Sequence, residues 1–221
     1  MKSPAPSAFI PPQSIAWSLL PPDPPRNMTV YRLYVFLLDI EPPIWRRVEL
    51  SSEILLAQLH KVLQSAMGWQ DYHLHEFGIG GQRYGVPDND YDLPGEVVKD
   101  STVKLSNVLP RKGASLIYTY DFGDNWVHSV VLEDIVLIEP DTKYPRVVDG
   151  ARACPPEDSG GPYGYADLIE ILAKPRYKEH RQMREWAGKK FDPEKFSAKA
   201  ANLMLKQALP KSPQIKTVQI Q

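Results

Sequence analysis

The chain has 221 residues, with 26 Lys and Arg against 27 Asp and Glu for a formal charge of −1, and 43% of its residues are hydrophobic. That length suits one sizeable core, and that composition excludes a wholly disordered chain. No apolar run approaches the ~20 residues that span a bilayer, and a single cysteine, Cys154, excludes an internal disulfide and any multi-thiolate zinc site.

Eight of the 22 prolines lie in residues 1–27, where each removes a backbone donor and fixes φ. This segment reads as an extended Pro-rich arm, open to interpretation as a docking peptide or a plain tail. Because the chain starts into prolines, a secretory signal is not expected and a cytoplasmic protein is the simplest reading. Residues 28–207 are expected to form one α+β domain, and 208–221 a polar C-terminal tail. Within the domain, residues 29–39 (TVYRLYVFLLD) and 44–50 (IWRRVEL) predict two strands. Ser52 is placed to cap a helix over 53–67 with the apolar stripe Leu55, Leu59, Val62, Leu63 and Ala66, ended by Gly68. A strand pair over 74–79 and 82–84 follows, and then a polar acidic loop over 86–100. Residues 116–122 and 126–138 predict a hairpin joined through Gly123-Asp124-Asn125. Gly160-Gly161-Pro162 opens a helix with the face Tyr165, Leu168, Ile169 and Leu172, which Pro175 stops. A second helix over 177–187 ends at Gly188, and Asp192-Pro193-Glu194 starts a third. Strands first and helices later argue for an α+β domain: a largely antiparallel or mixed sheet with helices concentrated toward the C-terminus.

Charge divides by position. Residues 1–173 hold 14 basic and 23 acidic groups, whereas 174–221 hold 12 basic and 4 acidic. A basic end meets phosphates through counterion release, and it equally forms a solvated helical face against an acidic body.

Four strings are more specific than packing requires: 59–69 (LHKVLQSAMGW), 73–77 (HLHEF), 120–128 (YDFGDNWVH) and 154–165 (CPPEDSGGPYGY). In this order they resemble the plasmid pRiA-type ORF-three-like family, over roughly residues 29–196. The resemblance implies a single α+β domain and an association with plasmids, transposons and other mobile elements. It implies no catalytic residues, and no serine-recombinase arrangement is evident in the chain. Ser159 stands where many members carry a second cysteine, so a two-thiol site is not available.

The same strings hold the candidate chemistry. His73 and His75, two apart, share a face if the local structure is a strand, an arrangement suited to a metal or an anion. If Asp124-Asn125 is a two-residue turn, Gly123 faces Trp126 and Asp121 faces His128, a carboxylate–imidazole pair of the kind that orients a catalytic histidine. Glu157 and Asp158, on a proline-stiffened loop, add oxygen donors, giving a mixed set suited to a divalent metal such as zinc, manganese or iron. The candidate metal ligands are therefore His73, His75, His128, Glu157 and Asp158, and the candidate catalytic groups are His128, Asp121 and Glu157. Simpler roles stand beside these: Asp124 and Asn125 as turn residues, Trp126 covering Gly123, Cys154 as a small buried hydrophobe, and Gly160-Gly161 as a chain reversal or as N–H donors to an anion. Asp88-Asn89-Asp90-Tyr91-Asp92 begins like a calcium loop but has Leu93 and Lys99 at its key glycine and glutamate positions. Phosphate-loop, zincin and α/β-hydrolase strings are absent from the sequence. Two function classes remain open: an accessory binding domain contacting nucleic acid or a protein partner, and a metal-dependent hydrolytic enzyme.

Overall fold

Residues 29–87 and 96–209 are described by the structure, a computed structural model. Strand β1 (Thr29–Leu37) alternates as its sequence dictates: Tyr31, Leu33, Val35 and Leu37 are buried, while Arg32, Tyr34 and Phe36 on the other face are half-buried. It pairs antiparallel with β2 (Trp45–Ser51) on one side. After helix α1 (Leu56–Met67) come the hairpin strands β3 (His75–Ile79) and β4 (Gln82–Gly85), then β5 (Val97–Lys99), which runs parallel to β4. A 3-10 turn (Asp100–Thr102) and the one-turn helix α2 (Leu105–Val108) lead to the antiparallel strands β6 (Ser115–Tyr120) and β7 (Trp126–Leu137). Strand β8 (Arg146–Ala151) is followed by helices α3 (Gly161–Ala173), α4 (His180–Trp186) and α5 (Ala198–Ala208). The eight strands form one mixed sheet in the order β5-β4-β3-β6-β7-β1-β2-β8. The chain is thus a single α+β domain, with its longer helices mostly late in sequence. No helix among the described residues is long and apolar enough to cross a membrane.

The sheet and the helices share one core. Helix α1 turns Leu56, Leu59, Val62, Leu63 and Ala66 inward, each at 2% exposure or less, and α5 lies against α1 and β8. Each fully buried Leu or Val is worth about 1.5–3 kcal/mol. The opposite face of β1 and β2 carries Tyr34, Arg47 and other half-buried side chains, as expected for an antiparallel sheet wetted on one side. Arg46 is buried on the core face of β2, at 1% exposure. Its guanidinium donates to the carbonyls of Ala66 (2.7 Å), Trp45 (2.8 Å) and Ala151 (2.9 Å) and lies 4.0 Å from the Phe196 ring. One cation therefore joins the end of α1, two strands and the segment before α5. Burial lowers its pKa from the ordinary arginine value.

Several expectations are corrected. Ser52 does not cap α1; its hydroxyl bonds that of Thr29 at 3.0 Å, and the helix begins after Leu55, whose N–H donates to Gln58 Oε1. The expected loop over 86–100 contains β5, because Val97 and Val98 pair with Arg83 and Tyr84. Strand β8 adds to the expected elements, pairing antiparallel with β2. The 6–7 hairpin has a five-residue loop in place of a two-residue turn, with Tyr118 opposite His128 and Tyr120 opposite Trp126. The third late helix starts at Ser197, whose side chain accepts from Ala200 N–H, because Asp192 instead closes a local turn by accepting from Glu194 N–H. The Pro-rich arm, residues 88–95 and the tail beyond residue 209 lie outside the described residues.

Candidate metal centre

Three connections meet at one end of the sheet. The first begins where α1 stops: Gly68 takes a left-handed conformation (φ +102°), and its N–H and that of Trp69 both reach the Gln64 carbonyl. Trp69 is buried and donates its indole N–H to the Pro155 carbonyl at 2.9 Å. The Asp71 N–H is held by Gln64 Oε1 at 3.0 Å, and its carboxylate accepts from His60 Nε2 at 2.6 Å and from Lys61. The Tyr72 N–H (3.0 Å) and His73 N–H (3.4 Å) both point at the Tyr120 hydroxyl. With its backbone held in this way, the His73 ring projects beside the second and third connections.

The second connection is the β6–β7 loop. Asp121 has φ +57°, donates its N–H to the Leu74 carbonyl at 2.9 Å, and uses Oδ1 to accept the Gly123 N–H at 2.9 Å. Its other oxygen faces His73. The third connection follows β8. Here Glu157 accepts from Gln70 N–H at 2.8 Å and from the Tyr120 hydroxyl at 3.3 Å. Burial, reinforced by the Glu157 carboxylate, pushes the Tyr120 phenol above its usual range, so it stays protonated and donates. The second and third connections are fastened together: Asp124 Oδ2 accepts from Gly160 N–H at 3.0 Å, and a Cβ on Gly161 (φ +69°) would lie 2.5 Å from the Asp124 carbonyl oxygen. Only glycine fits that approach.

The result is a cluster around one nitrogen. His73 Nε2 lies 3.2 Å from Asp158, 3.7 Å from Asp121 and 3.9 Å from Glu157. That nitrogen is buried, yet none of the described residues forms an aligned hydrogen bond with it. Donor atoms of His73, Asp121 and Asp158 all lie within 4.8 Å of one another. Two carboxylates at such a separation repel by about 1–4 kcal/mol, a cost that a divalent cation between them removes. The cluster opens on a cleft of about 270 Å³ lined by Tyr72, His73, Leu74, Asp121, Phe122 and Gly123. One imidazole and several carboxylates form a nitrogen–oxygen donor set accepted by zinc, manganese or iron(II).

Other expected residues lie elsewhere. His73 precedes β3, so the two-residue period does not carry His75 to its side. The His75 ring stacks on His60 with centroids 3.6 Å apart and its Nε2 is 3.0 Å from Asp100. His60 is also tied through Nδ1 to the Tyr118 hydroxyl at 2.8 Å, which Gln64 reaches at 3.0 Å. His128 is fully buried opposite Tyr118, not Asp121, and its Nδ1 meets the Trp126 (3.1 Å) and Tyr118 (3.2 Å) carbonyls. Burial holds both His60 and His128 down to about 4, so they are neutral core groups. Trp126 is in the core, 6.0 Å from Trp69, and does not cover Gly123. Desolvation pushes the Cys154 thiol well above its usual range, away from nucleophilic use. Asp124 and Gly160 satisfy each other, which removes that N–H as an anion donor. Sequence reasoning gave no role to Tyr120, Gln70, Asp71 or His60. Tyr120 lies inside the 120–128 string, and His60 inside 59–69, but only the fold shows what they hold.

A model of the plasmid pRiA4b ORF-3-like proteins matches residues 29–200. The chain belongs to this family. The uncharacterized protein y4hQ of Sinorhizobium fredii is 39% identical over 160 residues, covering 72% of this chain and 81% of that protein. In the solved structures, the protein of unknown function MM3350 from Methanosarcina mazei matches with a TM-score of 0.70 and 37% identity, covering 78% of this chain and 97% of that one. The pRiA4b ORF-3-like region thus spans all eight strands and α1 to α4, and all three connections of the cluster lie inside it.

Proposed function

We propose that the protein is a metal-dependent hydrolytic enzyme in which His73, Asp121 and Asp158 hold one divalent cation and Glu157 is the base. The observation that carries this reading is the His73 Nε2 atom, buried without an aligned hydrogen bond and within 3.9 Å of three carboxylates from two other connections. Glu157 is assigned the separate role because it falls outside the group of mutually close donors while two hydrogen-bond donors fix its carboxylate. A cation at this position supplies Lewis-acid polarisation and a water made acidic enough to lose its proton near neutral pH. Glu157 takes that proton and later returns it to the leaving group. Tyr120 is a positioning residue, holding Glu157 and the His73 backbone together.

Elemental analysis of untagged protein, as purified and after reconstitution with zinc, manganese, iron or nickel, tests the site. About one equivalent is expected, lost in His73→Ala and kept in His75→Ala. Less than about a tenth of an equivalent of every metal refutes it. Because ligation requires an unprotonated imidazole, occupancy falls in acid.

A second reading, an accessory domain contacting nucleic acid in a mobile-element setting, is favoured by one feature. Residues 174–209 carry ten Lys and Arg against four Asp and Glu. Duplex DNA binding that weakens steeply between about 50 and 200 mM salt is its signature, and no DNA shift at low salt rejects it.

A further inference from the structure

We infer that the cleft beside His73 takes an uncharged carboxylic ester or amide bearing an aromatic or aliphatic group, and not a phosphoester. This inference rests on the metal-hydrolase reading and adds to it the substrate class. The walls and the floor of the cleft differ in chemistry. Tyr72, at 67% exposure, Phe122 at 39% and Leu74 at 37% are exposed apolar side chains, and all three line the same cleft as His73 and Asp121. Flat and aliphatic walls of this kind gain from covering an apolar group and leave orientation to a few polar atoms at the floor.

The charge around His73, at the base of the cleft, sets the second half of the inference. Asp121, Asp124, Glu157 and Asp158 lie on the two connections beside His73, and none of the described lining residues is Lys or Arg. A single divalent cation does not neutralise four carboxylates, so a phosphate dianion arriving there meets net negative charge with no guanidinium or ammonium to receive its remaining oxygens. Two glycine N–H groups that could serve as donors are already taken, that of Gly123 by Asp121 and that of Gly160, at the start of α3, by Asp124. An acyl group needs less. A cation held by His73, Asp121 and Asp158 would polarise its carbonyl oxygen; water would lose a proton to Glu157 and form a bond to the carbonyl carbon, and the C–O or C–N bond would break. The leaving oxygen or nitrogen then takes the proton from Glu157, giving an acid and an alcohol or amine with no further reactant. Tyr72 is placed to cover the apolar group without strain, since its hydroxyl is anchored on Gln70 at 2.7 Å.

The test uses the full chain loaded with one equivalent of zinc or manganese, verified by elemental analysis. Hydrolysis of p-nitrophenyl benzoate, p-nitrophenyl acetate, p-nitrophenyl phosphate and bis(p-nitrophenyl) phosphate is measured, each relative to the free ion in buffer. At least a tenfold larger acceleration is expected for the two carboxylic esters, with benzoate above acetate. In parallel, calorimetry with benzohydroxamate and acetohydroxamate is expected to show tighter binding of the phenyl compound by fivefold or more. Phe122→Ala should erase that preference while leaving the metal content unchanged. Acceleration of the phosphoesters equal to or above that of the carboxylic esters overturns the inference. So does equal affinity for the two hydroxamates, or no acceleration of any ester by fully loaded protein. In each of these cases the metal site itself stands, whereas failure to retain metal in the first step refutes the underlying reading.

Discussion

Acidification offers a direct measure of the two buried imidazoles. His60 and His128, at 3% and 0% exposure, are each held at about 4 by burial, against 6.5 in the unfolded chain. Well above pH 6.5 both are neutral in both states and cost nothing. As pH falls through 6.5, the unfolded chain binds protons that the folded one refuses, so stability drops and continues to drop until the folded-state value is reached. Between pH 7 and pH 5 this amounts to roughly 2 kcal/mol for each imidazole and about 4 kcal/mol together. At a urea slope of about 2 kcal/mol per molar, the unfolding midpoint moves down by about 2 M. The carboxylates with lowered values, such as Asp71 and Glu49, lose their contribution at lower pH and leave this window clear. The assay is urea unfolding followed by tryptophan fluorescence at pH 7 and pH 5, with a chelator present so that metal occupancy does not contribute. His60→Gln removes one proton site, so its loss between the two pH values should be smaller than that of the parent by about 2 kcal/mol. Equal pH dependence in parent and variant would refute the argument that His60 is buried neutral.

Other substitutions address packing and assembly of the cluster. Gly161→Ala, forced against the Asp124 carbonyl at positive φ, is expected to cost about 2 kcal/mol or more and to weaken metal binding at least tenfold, read by calorimetry. Phe77→Ala removes a fully buried ring packed on Tyr118 and should cost about 3–5 kcal/mol in chemical unfolding. Arg46→Met leaves the Ala66, Trp45 and Ala151 carbonyls without their shared donor and should destabilise by about 2–4 kcal/mol; no change in midpoint would show that water replaces the guanidinium.

The parts of the fold legible in sequence are those whose own side chains decide the outcome. β1 and β7 are long, β-branched and apolar, and α1 carries its stripe in its sequence. Strand β8 (RVVDGA) contains Asp149 and Gly150, poor strand formers, and exists because β2 offers it an unpaired edge. Helix α1 starts without a polar N-cap side chain, its local signal being Gln58, which accepts the Leu55 N–H, and Ser52 is a poor guide because it bonds Thr29 instead. The hairpin register went astray at Asp124-Asn125, a pair that suits a tight turn alone but is drawn here into contact with Gly160 and Gly161. That one shift separated Asp121 from His128 and released its carboxylate toward His73. Glu157 and Asp158 were recognisable as donors from their loop, whereas their meeting with His73 depends on tertiary ties such as Trp69 to Pro155 that no local pattern encodes.

The cluster joins segments far apart in the chain: Gln70 and Glu157 are 87 residues apart, and Tyr120 and Glu157 are 37 apart. The third connection also leaves from β8, an edge strand, whereas β3 and β6 lie in the interior of the sheet beyond β2, β1 and β7, so it returns across the fold to reach them. Contacts with such large sequence separation pay their loop-closure entropy late, after the local hairpins and α1 have formed. A ligand gripping this junction therefore acts on the exit from the native state more than on the way in: it slows unfolding and leaves the folding rate nearly unchanged. Occupied in this way, the junction would act as a latch on the sheet and couple the protein's lifetime to its ligand.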